Sequence, residues 1–173
     1  MRFYNRQHRH YCGIDLHVKT MYVCILDGAG QVLLHRNVPA TPDALLGTVA
    51  PYRDDLVVAA ECMFTWYWLA DVCAAEGIPF VLGHALAMKA IHGGKAKNDK
   101  LDSRKIAGLL RGGLLPQAYV YPATMRATRD LLRVGCIWCA SAGSSWRTSR
   151  TRGISIRCRP SSGRWSTPRI ATA

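Results

Sequence analysis

Four carboxylates, Asp15, Glu61, Asp99 and Asp102, are the residues of this 173-residue chain whose types and placement could do chemistry. Asp15 falls at the centre of a predicted first strand and Glu61 just past a buried fourth strand. Asp99 and Asp102 begin a later helix, three residues apart and therefore on one helical face. Two acids about 4 Å apart repel by roughly 4 kcal/mol at an effective dielectric near 20, and a divalent cation removes that cost. Hard carboxylate oxygens suit Mg²⁺ or Mn²⁺, so we expect metal-assisted phosphoryl transfer on nucleic acid, with these acids as metal ligands and catalytic groups.

Each acid also has a structural interpretation, which the sequence alone leaves open. Asp99 and Asp102 are equally explained as first-turn acids stabilised by the helix dipole, and Glu61 as a solvated strand end. Asp15 is harder to explain in this way, because Asp is disfavoured inside a strand. His17 shares the face of Asp15 by period-two alternation, and we expect a structural histidine there rather than a phosphate or metal contact.

The elements that must position these acids follow the order of an α/β, ribonuclease-H-like fold. The pattern predicts strands over 12–17, 21–26, 31–38, 56–60 and 78–82, and helices over 44–52, 66–76, 86–91, 99–111 and from 126 onward. We expect a ribonuclease-H-like mixed sheet of about five strands with flanking helices. In this topology the first and fourth strands are neighbours, so the carboxylates of Asp15 and Glu61 can converge.

Basic and aromatic residues near the acids could contact nucleic acid. The basic set is Lys95, Lys97, Lys100, Arg104 and Lys105. Beside a metal site these side chains would hold substrate phosphates, although a solvated helix face would have the same composition. For the aromatic residues Phe64, Trp66, Tyr67 and Trp68 we favour core or dimer packing over base stacking.

Charge and composition point to a polyanionic partner and exclude disorder throughout. The chain has 23 Lys and Arg against 11 Asp and Glu, a net charge of +12, and 49% hydrophobic residues. Residues 134–173 contain seven Arg and eight Ser but no Lys, Asp or Glu. This segment lacks apolar periodicity, and we expect an unstructured tail translated out of frame. The chain has no apolar run near the roughly 20 residues that a membrane span requires.

The seven cysteines are typical of a reduced, cytosolic protein. The first four, Cys12, Cys24, Cys62 and Cys73, lie in apolar runs and are expected to be buried thiols. Cys136 and Cys139 form a lone pair without zinc-ligand partners at a suitable spacing, so we expect no metal there.

Three stretches carry a resemblance to a known family. They are Gly13-Ile14-Asp15-Leu16-His17 with Lys19, Ala59-Ala60-Glu61-Cys62, and the run from Lys95 to Ala107, which reads KAKNDKLDSRKIA. Over about residues 11–133 the chain resembles the DEDD transposases of bacterial insertion sequences, the insertion-sequence one-ten and one-eleven-eleven group. The resemblance implies an N-terminal RuvC-like domain whose four metal-binding acids correspond to Asp15, Glu61, Asp99 and Asp102.

The resemblance also implies a function and partners. It implies DNA binding, Mg²⁺- or Mn²⁺-dependent cleavage and strand transfer in DNA transposition, a guide RNA, a homo-oligomer, and action in the bacterial cytoplasm at the nucleoid. Family members continue into a helical segment and a second domain with a serine nucleophile. Neither is recognisable in 134–173, and we carry over no nucleophile.

We therefore expect a basic leader over 1–10, the RuvC-like domain over 11–133 and a frameshifted tail over 134–173. Such a truncated product would be incompetent for transposition alone, because the C-terminal domain is missing. The alternative is a non-catalytic nucleic-acid-binding or dimerising remnant. Sugar kinases and actin-like ATPases share the fold, but their phosphate loop requires Gly and a hydroxyl residue where this chain has His17-Val18-Lys19.

Overall fold

The computed structural model describes residues 2–62, 65–91 and 99–132, apart from the side chains of Asp99 and Lys100. Contacts divide the chain into two compact units, Met1–Val120 and Tyr121–Ala173. The predicted basic loop over 92–98 and the predicted tail over 134–173 lie outside the described residues.

The first unit contains five strands and four α-helices among its described residues. In chain order these are β1 (His10–Leu16), β2 (Thr20–Asp27), β3 (Val32–Pro39), α1 (Pro42–Val49), a 3-10 helix (Ala50–Asp55), β4 (Leu56–Glu61), α2 (Trp66–Ala75), β5 (Phe80–Gly83), α3 (Ala85–Ile91) and α4 (Asp99–Arg111). Within the ranges described, no helix has the length and apolar character needed to cross a membrane.

The five strands form one mixed sheet in the order β3-β2-β1-β4-β5. β1, β2 and β3 are an antiparallel meander, whereas β4 pairs parallel to β1 and β5 parallel to β4. The predicted α/β, ribonuclease-H-like mixed sheet with flanking helices is therefore confirmed, including the neighbouring first and fourth strands.

Local signals explain most element boundaries. The Thr41 side chain accepts a hydrogen bond from the Ala44 amide at the start of α1, as expected for an N-cap before a proline. Gly77 has φ +66° after α2, where a left-handed residue commonly ends a helix. The Ile78 amide donates to the Cys73 carbonyl, so Ile78 completes the end of α2 and β5 begins later than predicted.

Two apolar cores lie on opposite faces of the sheet. The first packs α1 and α2 against one face and includes Cys12, Ile14, Leu45, Val58, Ala60, Leu69 and Cys73. The second lies on the α4 face and includes Tyr11, Cys24, Val57, Ala59, Met88, Ile106, Ala107 and Leu110. The prediction of buried thiols is confirmed for Cys12, Cys24 and Cys73, whereas Cys62 is only partly buried.

The aromatic cluster is divided between core and partly buried positions. Trp66 is fully buried, and Trp68 packs against the first core. Tyr67 is partly buried, and Phe64 lies outside the described residues. Core packing, the interpretation favoured from the sequence, is confirmed for Trp66 and Trp68.

The residues before β1 are hydrogen-bonded to the body of the unit. The Tyr4 amide donates to the Leu115 carbonyl, and the Gln117 amide donates to the Arg2 carbonyl. His8 Nδ1 lies 2.6 Å from Asp55 Oδ1. The contact of His8 lies just before β4, whereas Arg2 and Tyr4 are bonded to a segment whose Gln117 bridges to Gly83, the last residue of β5.

The second unit is helical over residues 123–132. The predicted helix from Arg126 thus begins three residues earlier, and the Met125 amide donates to the Pro122 carbonyl near its start. The Arg129 guanidinium lies 5.3 Å from the ring centre of Tyr121 and 3.0 Å from Asp130 Oδ1.

Candidate active site

Asp15 and Glu61 lie at the carboxyl ends of two neighbouring parallel strands. The register of β1 with β4 ends at the pair Ile14 and Ala60, so Asp15 and Glu61 are the next residues along the two strands. Ile14 and Ala60 belong to the core on the α1 and α2 face. Since side chains alternate along a strand, Asp15 and Glu61 are both on the opposite face, which α4 covers.

The position of Asp15 within its strand differs from the prediction. β1 begins at His10, two residues earlier than expected, and ends at Leu16. Asp15 is therefore the penultimate residue of β1, and the prediction of a central position was wrong. The additional residues belong to β1 because His10 pairs with Asp27 of β2 and Leu56 of β4, contacts that the local sequence does not reveal.

Helix α4 runs along β1 with its first turns toward Asp15. A Cβ atom on Gly13 would collide with the carbonyl oxygen of Ser103, so the first half of α4 lies directly on β1. At the other end, Arg111 Nη1 donates to the Gly28 carbonyl at 3.2 Å, in the turn after β2 and beside the start of β1. The helix is thus antiparallel to β1, and its N-terminal turns are at the carboxyl ends of β1 and β4.

These N-terminal turns contain the other two predicted acids. Asp99 is the first residue of α4 and Asp102 the fourth. Asp102 Oδ1 accepts a hydrogen bond from Lys105 Nζ at 2.9 Å, and both side chains are about one-third exposed. The ammonium of Lys105 partly balances the negative charge of Asp102, and the carboxylate still has access to solvent. The side chain of Asp99 lies outside the described residues.

The carboxylate of Asp15 is more shielded from water than that of Asp102. Its side chain is 13% exposed, and its Oδ2 lies 3.4 Å from His17 Nε2, whose side chain is 45% exposed. A carboxylate with so little access to water interacts more strongly with a nearby charge than a surface acid does. The expectation that His17 is structural rather than a metal or phosphate contact stays a prediction.

Three polar side chains on the α4 side of the sheet were not singled out from the sequence. Tyr22 is the β2 partner of Asp15, and its ring meets the His35 ring edge to face with centres 5.9 Å apart. His35 Nε2 lies 3.1 Å from the Ser103 hydroxyl oxygen. Alternation along β2 with the buried Cys24 predicts that Tyr22 lies on this face. The contact between His35 and Ser103 depends on the pairing of β3 with β2, which the local sequence does not reveal.

The thiol of Cys24 is buried from solvent in the core beneath α4. Burial raises the pKa of the Cys24 thiol to about 11, while the positive charge of Arg104 acts in the opposite direction. Arg104 is exposed, so its guanidinium lies at the solvent edge of α4 within electrostatic range of β2. Among the predicted basic residues whose side chains are described, Arg104 is the exposed one.

The other predicted nucleic-acid contacts are only partly within the described chain. Lys105 is partly buried and paired with Asp102. Lys100 is the second residue of α4, and its side chain is not described. Lys95 and Lys97 lie outside the described residues.

The types of the candidate donor atoms are those that a divalent cation prefers. Carboxylate oxygens are the ligands that Mg²⁺ prefers, and Asp15, Glu61 and Asp102 are the described candidates. Among the described side chains, no group of three or more His, Cys, Asp and Glu residues is arranged to hold one ion. The side chain of Asp99, at the start of α4, is not among the described side chains.

Comparison with known proteins identifies a family for most of the chain. The family model for DEDD transposases of the IS110 type, described as Transposase, matches residues 12–135. This range includes all four predicted acids, the whole sheet from Cys12 onward and α4. No curated protein gives a significant match.

Proposed function

The chain belongs to the family of IS110-type DEDD transposases, and on that premise we propose that its sheet and α4 form a DNA-binding domain with Mg²⁺- or Mn²⁺-dependent phosphodiester cleavage. The proposed metal ligands and catalytic groups are Asp15, Glu61, Asp99 and Asp102. The observation that carries the proposal is the placement of Asp15 and Glu61 at adjacent strand ends, beside the N-terminal turns of α4. Acids from three distant parts of the chain are thereby brought to one end of the sheet.

A divalent ion bound by these acids would activate the attacking oxygen and stabilise the leaving oxygen. The protein's own contribution is to hold the carboxylates on rigid elements. Asp15 and Glu61 are on hydrogen-bonded strands in the middle of the sheet, and Asp102 is on a helix whose opposite end is anchored by Arg111. Side chains on rigid elements keep a metal site closer to its productive geometry than side chains on loops.

The DNA backbone would be held by cations next to the acids. Arg104 is exposed on α4, and we include Lys95, Lys97, Lys100 and Lys105 in the same proposal. Their contacts with phosphates position the substrate and carry no sequence information. A DNA substrate further implies that the protein acts at the bacterial nucleoid.

The proposal is tested by DNA cleavage with the full chain. Supercoiled plasmid is incubated with wild type, Asp15→Asn or Asp43→Asn, in Mg²⁺, Mn²⁺ or EDTA. Asp43 is an exposed first-turn acid of α1 and serves as the control for removing one carboxylate. We expect nicking by wild type and Asp43→Asn with either metal, and none by Asp15→Asn or in EDTA.

Binding measured in parallel separates the two function classes. Salt-dependent DNA binding that Asp15→Asn retains, without nicking by any variant, identifies the non-catalytic module instead. Nicking that Asp15→Asn retains at the wild-type rate overturns the proposed site.

A further inference from the structure

A hydrogen bond joins the outer strand of the meander to the helix that carries two of the proposed acids. His35 Nε2 on β3 lies 3.1 Å from the hydroxyl oxygen of Ser103 on α4. Ser103 is fully buried, and it follows Asp102 directly in the chain. The bond therefore holds α4 at the turn that presents Asp102.

His35 is itself held in place from the side nearer the acids. It pairs with Cys24 of β2, which in turn pairs with Gly13 of β1, so His35 belongs to the row of residues that runs beneath Ser103. Tyr22 lies in the next row, opposite Asp15. Its ring packs edge to face against the imidazole with centres 5.9 Å apart, so the imidazole contacts Tyr22 on one side and Ser103 on another.

Gly13 and His35 fix different features of α4. The missing side chain of Gly13 allows the helix to approach β1 closely, but a close approach alone does not determine the rotation of the helix about its own axis. A rotation of about 20° would move a side-chain atom by about 2 Å, because a helix with its side chains is about 10–12 Å across. Mg²⁺ needs oxygen ligands at about 2.0–2.1 Å in near-octahedral geometry, so a shift of that size removes a ligand.

We infer that His35 is a positioning residue for the acid site, which acts through Ser103 to fix the rotation of the α4 turn that bears Asp102. This inference rests on the proposed function. Outer partners that orient metal ligands typically change metal affinity about 10- to 100-fold when removed. His35 is a positioning residue and not a catalytic one in this account, because it acts on the site through Ser103.

Three variants separate the hydrogen bond from the packing of the ring. His35→Phe keeps the ring contact with Tyr22 and removes the bond, Ser103→Ala removes the bond from the other side, and His35→Gln retains a polar group that can reach Ser103. His10→Phe is the matched control. His10 Nδ1 lies 3.1 Å from the Tyr52 carbonyl oxygen, and the two rings meet edge to face with centres 5.3 Å apart, at the end of β1 remote from Asp15.

The first measurement is calorimetric titration with Mn²⁺ on the full chain. We expect His35→Phe and Ser103→Ala each to weaken Mn²⁺ binding by about tenfold or more. The variant that combines both substitutions should bind Mn²⁺ no more weakly than either single variant. His35→Gln should restore binding to within about threefold of wild type, and His10→Phe should bind as wild type does. Wild-type affinity in His35→Phe overturns the inference.

Amide hydrogen exchange separates failure of this inference from failure of the proposed function. Wild-type protein that binds no Mn²⁺ contradicts the proposed function, and the role of His35 is then decided by exchange in α4. Faster exchange over residues 99–106 in His35→Phe, but not in His10→Phe, supports the positioning role. Equal exchange in both variants overturns it.

Discussion

Gly13 of β1 lies directly beneath the backbone of Ser103 on α4, with no space between them for a side chain. A Cβ atom on Gly13 would collide with the Ser103 carbonyl oxygen and lie 2.9 Å from the Cβ of Ala107. The helix that carries Asp99 and Asp102 can therefore lie against the strand that carries Asp15 only because residue 13 is glycine.

Replacing Gly13 by alanine should destabilise the fold and move α4 away from β1. Overpacking of a well-packed core costs roughly 1–3 kcal/mol, and here the obstructing atoms are backbone. Urea unfolding of Gly13→Ala should show that the free energy of unfolding is lower than that of wild type by about 1–3 kcal/mol or more.

Gly108→Ala is the control for the Gly13 prediction. Gly108 is in α4, and nothing lies within 4 Å of its added Cβ. Alanine there should stabilise the protein by about 0.4–1 kcal/mol through helix propensity and unfolded-chain entropy. Equal stability of Gly13→Ala and wild type would contradict the close packing of α4 on β1.

Much of the fold could be predicted because its signals are local. The bounds of α4 agree with the prediction at both ends, since Gly112 and Gly113 follow its last residue. The neighbouring positions of Asp15 and Glu61 followed from the strand order of the fold class. The start of β1 at His10 and the bond between His35 and Ser103 depend on pairing between distant segments, which residue spacing does not reveal.

Asp55 should stabilise the fold in a pH-dependent way. The hydrogen bond from His8 lowers the pKa of Asp55 from its ordinary value of 3.8. A carboxyl with a lower pKa in the folded state contributes stability above its ordinary pKa and loses it as the pH falls through the folded value. The Tm of wild type should exceed that of Asp55→Asn at pH 5, with a gap that narrows from pH 4 to pH 2.5. A gap that is constant down to pH 2.5 would contradict this role of the carboxylate.

The buried thiols should make the fold sensitive to alkali. Burial raises the pKa of Cys24 to about 11 and that of Cys73 to about 12. Because the folded state retains the proton, stability is present below the ordinary thiol pKa and is lost as the pH rises through the folded value. Between pH 8 and pH 10, wild type should lose about 1 kcal/mol more unfolding free energy than Cys24→Ala. Parallel pH profiles of the two proteins would contradict the buried, protonated state.

Lys105 should compete with a metal ion for Asp102. Its ammonium lies 2.9 Å from Asp102 Oδ1, with both side chains partly exposed. Exposed pairs of this kind contribute about 0.2–1 kcal/mol, so Lys105→Gln should tighten Mn²⁺ binding by up to about fivefold while weakening DNA binding. Lys89→Gln, on α3, is the control and should leave Mn²⁺ affinity unchanged. Weaker Mn²⁺ binding by Lys105→Gln would contradict this prediction.

The central claim, that acids from β1, β4 and α4 jointly bind a divalent cation, is tested most directly by calorimetric Mn²⁺ titration of wild type, Asp15→Asn, Glu61→Gln and Asp43→Asn. The account predicts saturable binding by wild type and Asp43→Asn, and loss of at least one bound ion in both Asp15→Asn and Glu61→Gln. Identical isotherms for all four proteins would contradict it.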